Sequence, residues 1–182
     1  MRTDIKYNYR AYRSLPENGK RYQLVAGELL VSPSPKTRHQ VILRRLTMAL
    51  TEMVEKKRWG QVYFAPLDVV LSDEDVVQPD LFYVSKARAS IVREEGVFGG
   101  PDLCVEILSP STCELDREAK RTLYARHGVL EYWIVDPDAD VLQVFRLQED
   151  AERAVKTLGA KDTLTSALFE GFAAELGGVF AR

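Results

Sequence analysis

From Arg38 to Arg58 the apolar side chains fall three and four residues apart: His39 (counted as a ring), Ile42, Leu46, Ala49, Leu50 and Met53. That spacing predicts one amphipathic helix, with Gly60 suited to its exit. Upstream, Tyr22-Gln23-Leu24-Val25 and Glu28 to Val31 flank Ala26-Gly27, a hairpin signal, and Pro33 and Pro35 end the second strand. Gln61 to Ala65 and Asp68 to Leu71 read as strands interrupted at Pro66, followed by a turn at Ser72-Asp73-Glu74-Asp75. Val76-Val77 and Leu81 to Val84 straddle Pro79-Asp80, and the proline marks an irregular or edge strand there.

After Gly99-Gly100-Pro101 the run Leu103 to Leu108 reads as a strand stopped by Ser109-Pro110. Ser111 with Glu114 three residues later forms a capping box, opening a helix to His127 with Gly128 as its exit. Glu131 to Val135 and Val141 to Phe145 pair around Asp136-Pro137-Asp138, and the apolar tail from Leu164 to Phe180 packs on the core. The order of elements predicts an α/β fold whose sheet has mixed strand directions.

The composition narrows this picture. The chain has 182 residues, 46% hydrophobic and 29% charged, with a net charge of −2. That suits one ordinary domain over 1–182 and excludes both disorder and a polybasic coat for nucleic acid. No run approaches the ~18 apolar residues of a membrane helix. Met1 to Arg21 lacks the apolar core of a signal peptide, so the cytoplasm is the expected location. Cys104 and Cys113 have no metal-type spacing. Two histidines, His39 and His127, are too few for a histidine-built centre. A metal here would rest on carboxylates, which favours Mg²⁺ or Mn²⁺.

Three residues break local rules. Asp80 interrupts the apolar stretch Val76 to Val84, and Glu106 sits inside Leu103-Cys104-Val105-Glu106-Ile107-Leu108. A carboxylate buried in a strand is costly unless paired or bound to metal. If the two strands are neighbours, both carboxylates can converge on one cation. Each also has a bland alternative: an ion pair for Glu106, a Pro-Asp turn for Asp80. Lys120 is the third. With Leu115, Ala119 and Leu123 as the buried stripe, it lies roughly 100° round the helix from the residue next to it, at the boundary. There it either reaches the carboxylates or makes an i,i+4 pair with Asp116 worth a few tenths of a kcal/mol. Arg117 and Arg121 point away.

Pro79-Asp80 followed by Val105-Glu106-Ile107-Leu108-Ser109-Pro110-Ser111 resembles the PD-(D/E)XK nuclease superfamily and its restriction-endonuclease-like fold. More closely, the chain is similar to the Uma family, bacterial proteins assigned as endonucleases. The resemblance rests on Leu15-Pro16-Glu17 to Gly27-Glu28-Leu29, His39, Pro79-Asp80, Glu106 to Ser111, Asp116/Lys120/Tyr124, and Gly128 through Glu131 to Pro137.

It implies a mixed β-sheet flanked by helices with an N-terminal β-hairpin, and a metal-dependent endonuclease acting on DNA. Asp80, Glu106 and the Ile107 carbonyl would hold Mg²⁺ or Mn²⁺. The lysine two positions after the superfamily's Glu is Leu108 here, so the resemblance moves the catalytic lysine to Lys120. Glu28 and His39 match as auxiliary residues, and Gln23 stands where relatives carry Glu. Arg38 or Arg117 at the rim would position the nucleic-acid backbone.

One site cuts one strand, so double-strand cleavage suggests a homodimer, with Tyr7, Tyr9 and Tyr12 as exposed aromatics to build it. An RNA-directed nuclease and a non-catalytic nucleic-acid-binding or assembly module that keeps the fold are the competing readings.

Overall fold

The computed structural model describes residues 6–16, 18–110 and 112–182. Glu17 of the family match and the capping residue Ser111 lie outside the described residues. A short helix α1 (Tyr9–Arg13) precedes the hairpin of β1 (Arg21–Val25) and β2 (Glu28–Ser32), which turns at Ala26 and Gly27 with φ of 50° and 80°. Helix α2 (Thr37–Lys57) buries Ile42, Leu43, Leu46, Leu50 and Val54 along one face.

The helix does not leave through Gly60. Arg58 takes the left-handed turn at φ 55°, closing the last carbonyls through its own N–H. Gly60 instead opens the next strand, where a Cβ would stand 2.1 Å from the Val84 carbonyl oxygen. The chain continues through β3 (Gly60–Phe64), β4 (Val69–Ser72), β5 (Asp75–Val77), β6 (Leu81–Ser85), β7 (Val92–Arg93), β8 (Gly96–Phe98) and β9 (Leu103–Ile107). A helical segment follows, wound as a π-helix over Leu115–Lys120 and as α3 over Arg121–Arg126. Then come β10 (Glu131–Asp136), β11 (Val141–Arg146), β12 (Lys156–Gly159), β13 (Thr163–Leu164), β14 (Ala174–Glu175) and α4 (Leu176–Phe180).

Among the described residues these strands form two six-stranded sheets, ordered β2-β1-β5-β4-β8-β7 and β12-β11-β10-β9-β6-β3, and a β13-β14 ribbon. Directions are mixed, with β9 and β10 parallel and β6 antiparallel to β9. Alternate residues of the second sheet face two cores. Leu81, Tyr83, Leu103 and Val105 meet α2 and the tail residues Phe169, Phe172 and Phe180. Phe82, Val84, Cys104 and Tyr132 meet Leu123 and Tyr124 of α3 and Val69 of the first sheet. Burial on both faces explains why these strands read as continuous apolar runs.

Pro79-Asp80 is therefore not a flaw in an edge strand. β5 belongs to the first sheet and β6 to the second, where β6 lies between β9 and β3. The dipeptide is the crossover between sheets, and Pro79 precedes the ladder that would have needed its N–H.

Two other expectations change. The helix after β9 buries Asp116, Lys120, Leu123 and Tyr124, and leaves Ala119 exposed. Asp116, Lys120, Leu123 and Tyr124 keep ordinary helical spacing, one residue out of phase with the stripe drawn through the apolar Leu115 and Ala119. The N-terminal tyrosines are also not a free aromatic surface. Tyr12 is 8% exposed, its hydroxyl donates to Asp68 Oδ1 at 2.8 Å, and Tyr7 and Tyr9 pack on the same cluster as Leu24 and Val76. The aromatic motive for a dimer disappears with them. No helix among the described residues is long and apolar enough to cross a membrane.

Candidate active site

The antiparallel register Leu81↔Val105, carried one residue beyond the last ladder pair, sets Asp80 opposite Glu106. Both carboxyl groups are buried, at 6% and 3% exposure. Asp80 Oδ2 lies 3.0 Å from His39 Nε2, in the first turn of α2, and accepts the Ile107 N–H at 2.9 Å. The Arg21 guanidinium from β1 stands 4.0 Å from Asp80 Oδ1. Glu106 Oε1 accepts from Lys120 Nζ at 2.9 Å and from the Tyr124 hydroxyl at 2.7 Å. Lys120 Nζ is also 3.0 Å from Asp116 Oδ1, an ion pair whose oxygen lacks a well-aligned hydrogen bond.

Lys120 is thus neither wet nor at a boundary: it is 2% exposed, held between two carboxyl groups.

Burial and charge act differently on the two strand carboxyls. At Asp80 burial disfavours ionisation, but the His39 bond and charge, the Ile107 N–H and Lys120 outweigh it and hold the pKa below its ordinary value. At Glu106 burial dominates. Lys120 opposes it, Asp116 and Asp80 reinforce it, and the pKa rises to about 8. Lys120 loses solvation too, yet Glu106 and Asp116 more than compensate and raise its pKa. Three carboxyl groups therefore face one ammonium, a surplus of negative charge that a cation would relieve.

A stability consequence follows. The folded state binds the Glu106 proton more tightly than the unfolded chain, whose value is near 4.5. Stability from this group is complete below that value and declines as pH rises through about 8. The melting temperature of the wild type minus that of Glu106→Gln should fall between about pH 5 and about pH 8. A flat difference would mean that Glu106 ionises normally.

These groups form the floor of a 480 Å³ cavity. Arg21, Gln23 and Ser32 of the hairpin line it, as do Ser109, Thr112 and Asp138. Of the residues singled out in the sequence, Asp80, Glu106, Ile107, Lys120, His39 and Arg38 line it. Glu28 does not. It is exposed opposite Val25 at the hairpin turn, the end remote from Arg21 and Ser32.

Arg117 is also outside the lining, bonded to Asp136 Oδ2 and Gln143 Oε1, both at 3.1 Å. Arg38 reaches the cavity, but its Nε and Nη2 are held by Asp140 and by the Pro137 and Phe180 carbonyls. Sequence reading missed Arg21. Its signal was the alternation in β1, where polar Arg21 and Gln23 share the face opposite Tyr22 and Leu24.

The donor set fits a hard divalent ion. Among the described residues Asp80 Oδ1 and Glu106 Oε2 accept no hydrogen bond, since the donors all converge on the other oxygens. The Ile107 N–H faces Asp80, and a strand residue's carbonyl points to the same edge as its N–H. No group of three or more His, Cys, Asp or Glu is gathered for a metal among the described residues. Two carboxylates and a carbonyl leave positions open, the pattern of Mg²⁺ sites completed by water and phosphate rather than of closed cages.

Comparison with known proteins bears on the same residues. The chain is similar in fold to the crystal structure of a "putative nuclease belonging to DUF820" from Anabaena variabilis, with a TM-score of 0.80, 18% identity, and 96% of this chain and 97% of the other covered. No curated protein matches. The model of the Uma2 family, described as "Putative restriction endonuclease", matches residues 9–177. That stretch takes in Asp80, Glu106, Lys120 and both sheets, and the chain belongs to the Uma2 family.

Proposed function

We propose that this protein is a metal-dependent endonuclease that hydrolyses phosphodiester bonds of DNA, with Asp80, Glu106 and Lys120 as its catalytic residues. One observation carries the reading: these three side chains, from the sheet crossover, a central strand and a π-helical turn, meet at the floor of one cavity. Asp80, Glu106 and the Ile107 carbonyl would hold Mg²⁺ or Mn²⁺, which when bound supplies Lewis acidity toward the phosphate and acidifies water.

The residues divide the remaining work. His39 and the Ile107 N–H fix Asp80 Oδ2, so that Oδ1 is presented to the cavity. Tyr124 and Lys120 fix Glu106 Oε1 in the same way. Lys120 directs two of its three N–H groups at Glu106 and Asp116. The third is available to orient the attacking water or to stabilise charge on a non-bridging phosphate oxygen as the P–O bond to the leaving sugar oxygen breaks.

The test is single-turnover cleavage of labelled duplex DNA, with a matched RNA in parallel. Cleavage of DNA that requires Mg²⁺ or Mn²⁺ is expected. Cleavage of RNA alone would reassign the substrate, and binding without cleavage under any divalent ion would favour a non-catalytic module.

A further inference from the structure

The two arginines that sequence reading assigned to the nucleic-acid backbone are both committed elsewhere, as their bonds to Asp140 and Asp136 show. Four cationic side chains line the cavity: Arg21, Lys36, Arg38 and Lys120. Arg38 is tied by Nε and Nη2 to the Pro137 carbonyl, Asp140 and the Phe180 carbonyl, and Lys120 is buried between carboxyl groups. Lys36 is exposed at the start of α2, with its side chain uninvolved in capping the helix.

Arg21 differs from all three. Arg21 is exposed to the same extent as Arg38, 24%, and the difference lies in its bonds. Its contacts are long: Nε to Gln78 Oε1 and Nη2 to the Gln78 carbonyl, both at 3.3 Å, and Nη2 to Asp80 Oδ1 at 4.0 Å. The guanidinium is held beside the catalytic floor without being used up by it. Gln78 in turn is anchored by Asp68 and by Gln23, so the support beneath Arg21 is rigid while its outward face is free.

We propose that Arg21 is the phosphate-binding side chain of the cavity, carried by the N-terminal hairpin to grip a non-bridging oxygen of the strand being cut. This rests on the nuclease reading above. A planar guanidinium can take a phosphate bidentately, which its present long contacts do not preclude. It also stands near the oxygen of Asp80 left open for a cation. Arg21 and a cation held there would compete for Asp80, and the outward N–H groups of the guanidinium are left for substrate.

The two roles have opposite signs, which makes the proposal testable. Arg21→Gln should weaken binding of a labelled DNA duplex, followed by fluorescence anisotropy in Ca²⁺, about tenfold, and lower the slope of affinity against salt by about one. The same variant should bind Mn²⁺ about threefold more tightly by titration calorimetry, since a competing cation is gone. Arg21→Lys should recover part of the DNA affinity. A side chain that merely braces the hairpin would weaken both ligands together or neither, and either result overturns the proposal. If the wild type itself binds no DNA, the nuclease reading falls first. If it binds DNA and Arg21→Gln binds equally well at the same salt slope, only the role of Arg21 falls.

Discussion

Lys120→Met should destabilise the protein by about 3–5 kcal/mol, because it strips from Glu106 and Asp116 the ammonium that pairs with both in a fully buried setting. The loss should grow with pH. Lys120 lowers the Glu106 pKa, so without it the carboxyl keeps its proton past the wild type's value of about 8, and the added cost of the variant appears above that pH. Asp116→Asn in the same chain should restore part of the stability, since one orphaned carboxylate is then removed. Urea denaturation at two pH values measures all of this. A Lys120→Met variant within 1 kcal/mol of wild type, roughly the worth of an exposed pair, would contradict the buried triad. Lys120→Arg should also fare badly: a planar fork does not fit a space shaped around a compact ammonium.

The second large effect is on chemistry. Asp80→Asn and Glu106→Gln should each lower the cleavage step by about 10³-fold or more while leaving the fold intact. Glu106→Gln should be as stable as wild type near neutral pH or more so, because an amide is neutral without the cost of holding a proton that the unfolded chain has released. That pairing of lost activity with retained stability separates a functional carboxylate from a structural one. Substitution of Leu46 or Leu50 in the core would show the reverse, with activity lost in proportion to unfolding.

Much of the site was legible because its residues violate strand and helix logic. Glu106 in an apolar strand and Asp80 after Pro79 stand out against the apolar residues on either side of them. The hairpin, α2, β9 and the β10-β11 pair were legible from periodicity and turn residues alone. The depth of Lys120 was not. The apolar Leu115 and Ala119 draw the expected stripe one position away, whereas the folded chain buries the charged Asp116 and Lys120 beside Leu123 and Tyr124, and an apolar pattern does not register a buried ion pair. The division of strands into two sheets was hidden for a related reason: β5 and β6 are three residues apart and equally apolar, so only the crossover at Pro79-Asp80 separates them. Arg38 and Arg117 looked like a rim because charge in sequence carries no record of its partners. Asp140 lies 102 positions from Arg38, and the pair is visible only once the chain is folded.

The central claim is that Asp80 and Glu106 jointly hold a divalent cation beneath the phosphate site. Anomalous diffraction from a crystal soaked in Mn²⁺ tests it most directly. The account predicts a peak bridging Asp80 Oδ1 and Glu106 Oε2 with the Ile107 carbonyl in its coordination sphere, at Mn–O distances of about 2.1–2.3 Å. A fully soaked crystal with manganese elsewhere and none between these carboxylates would contradict it.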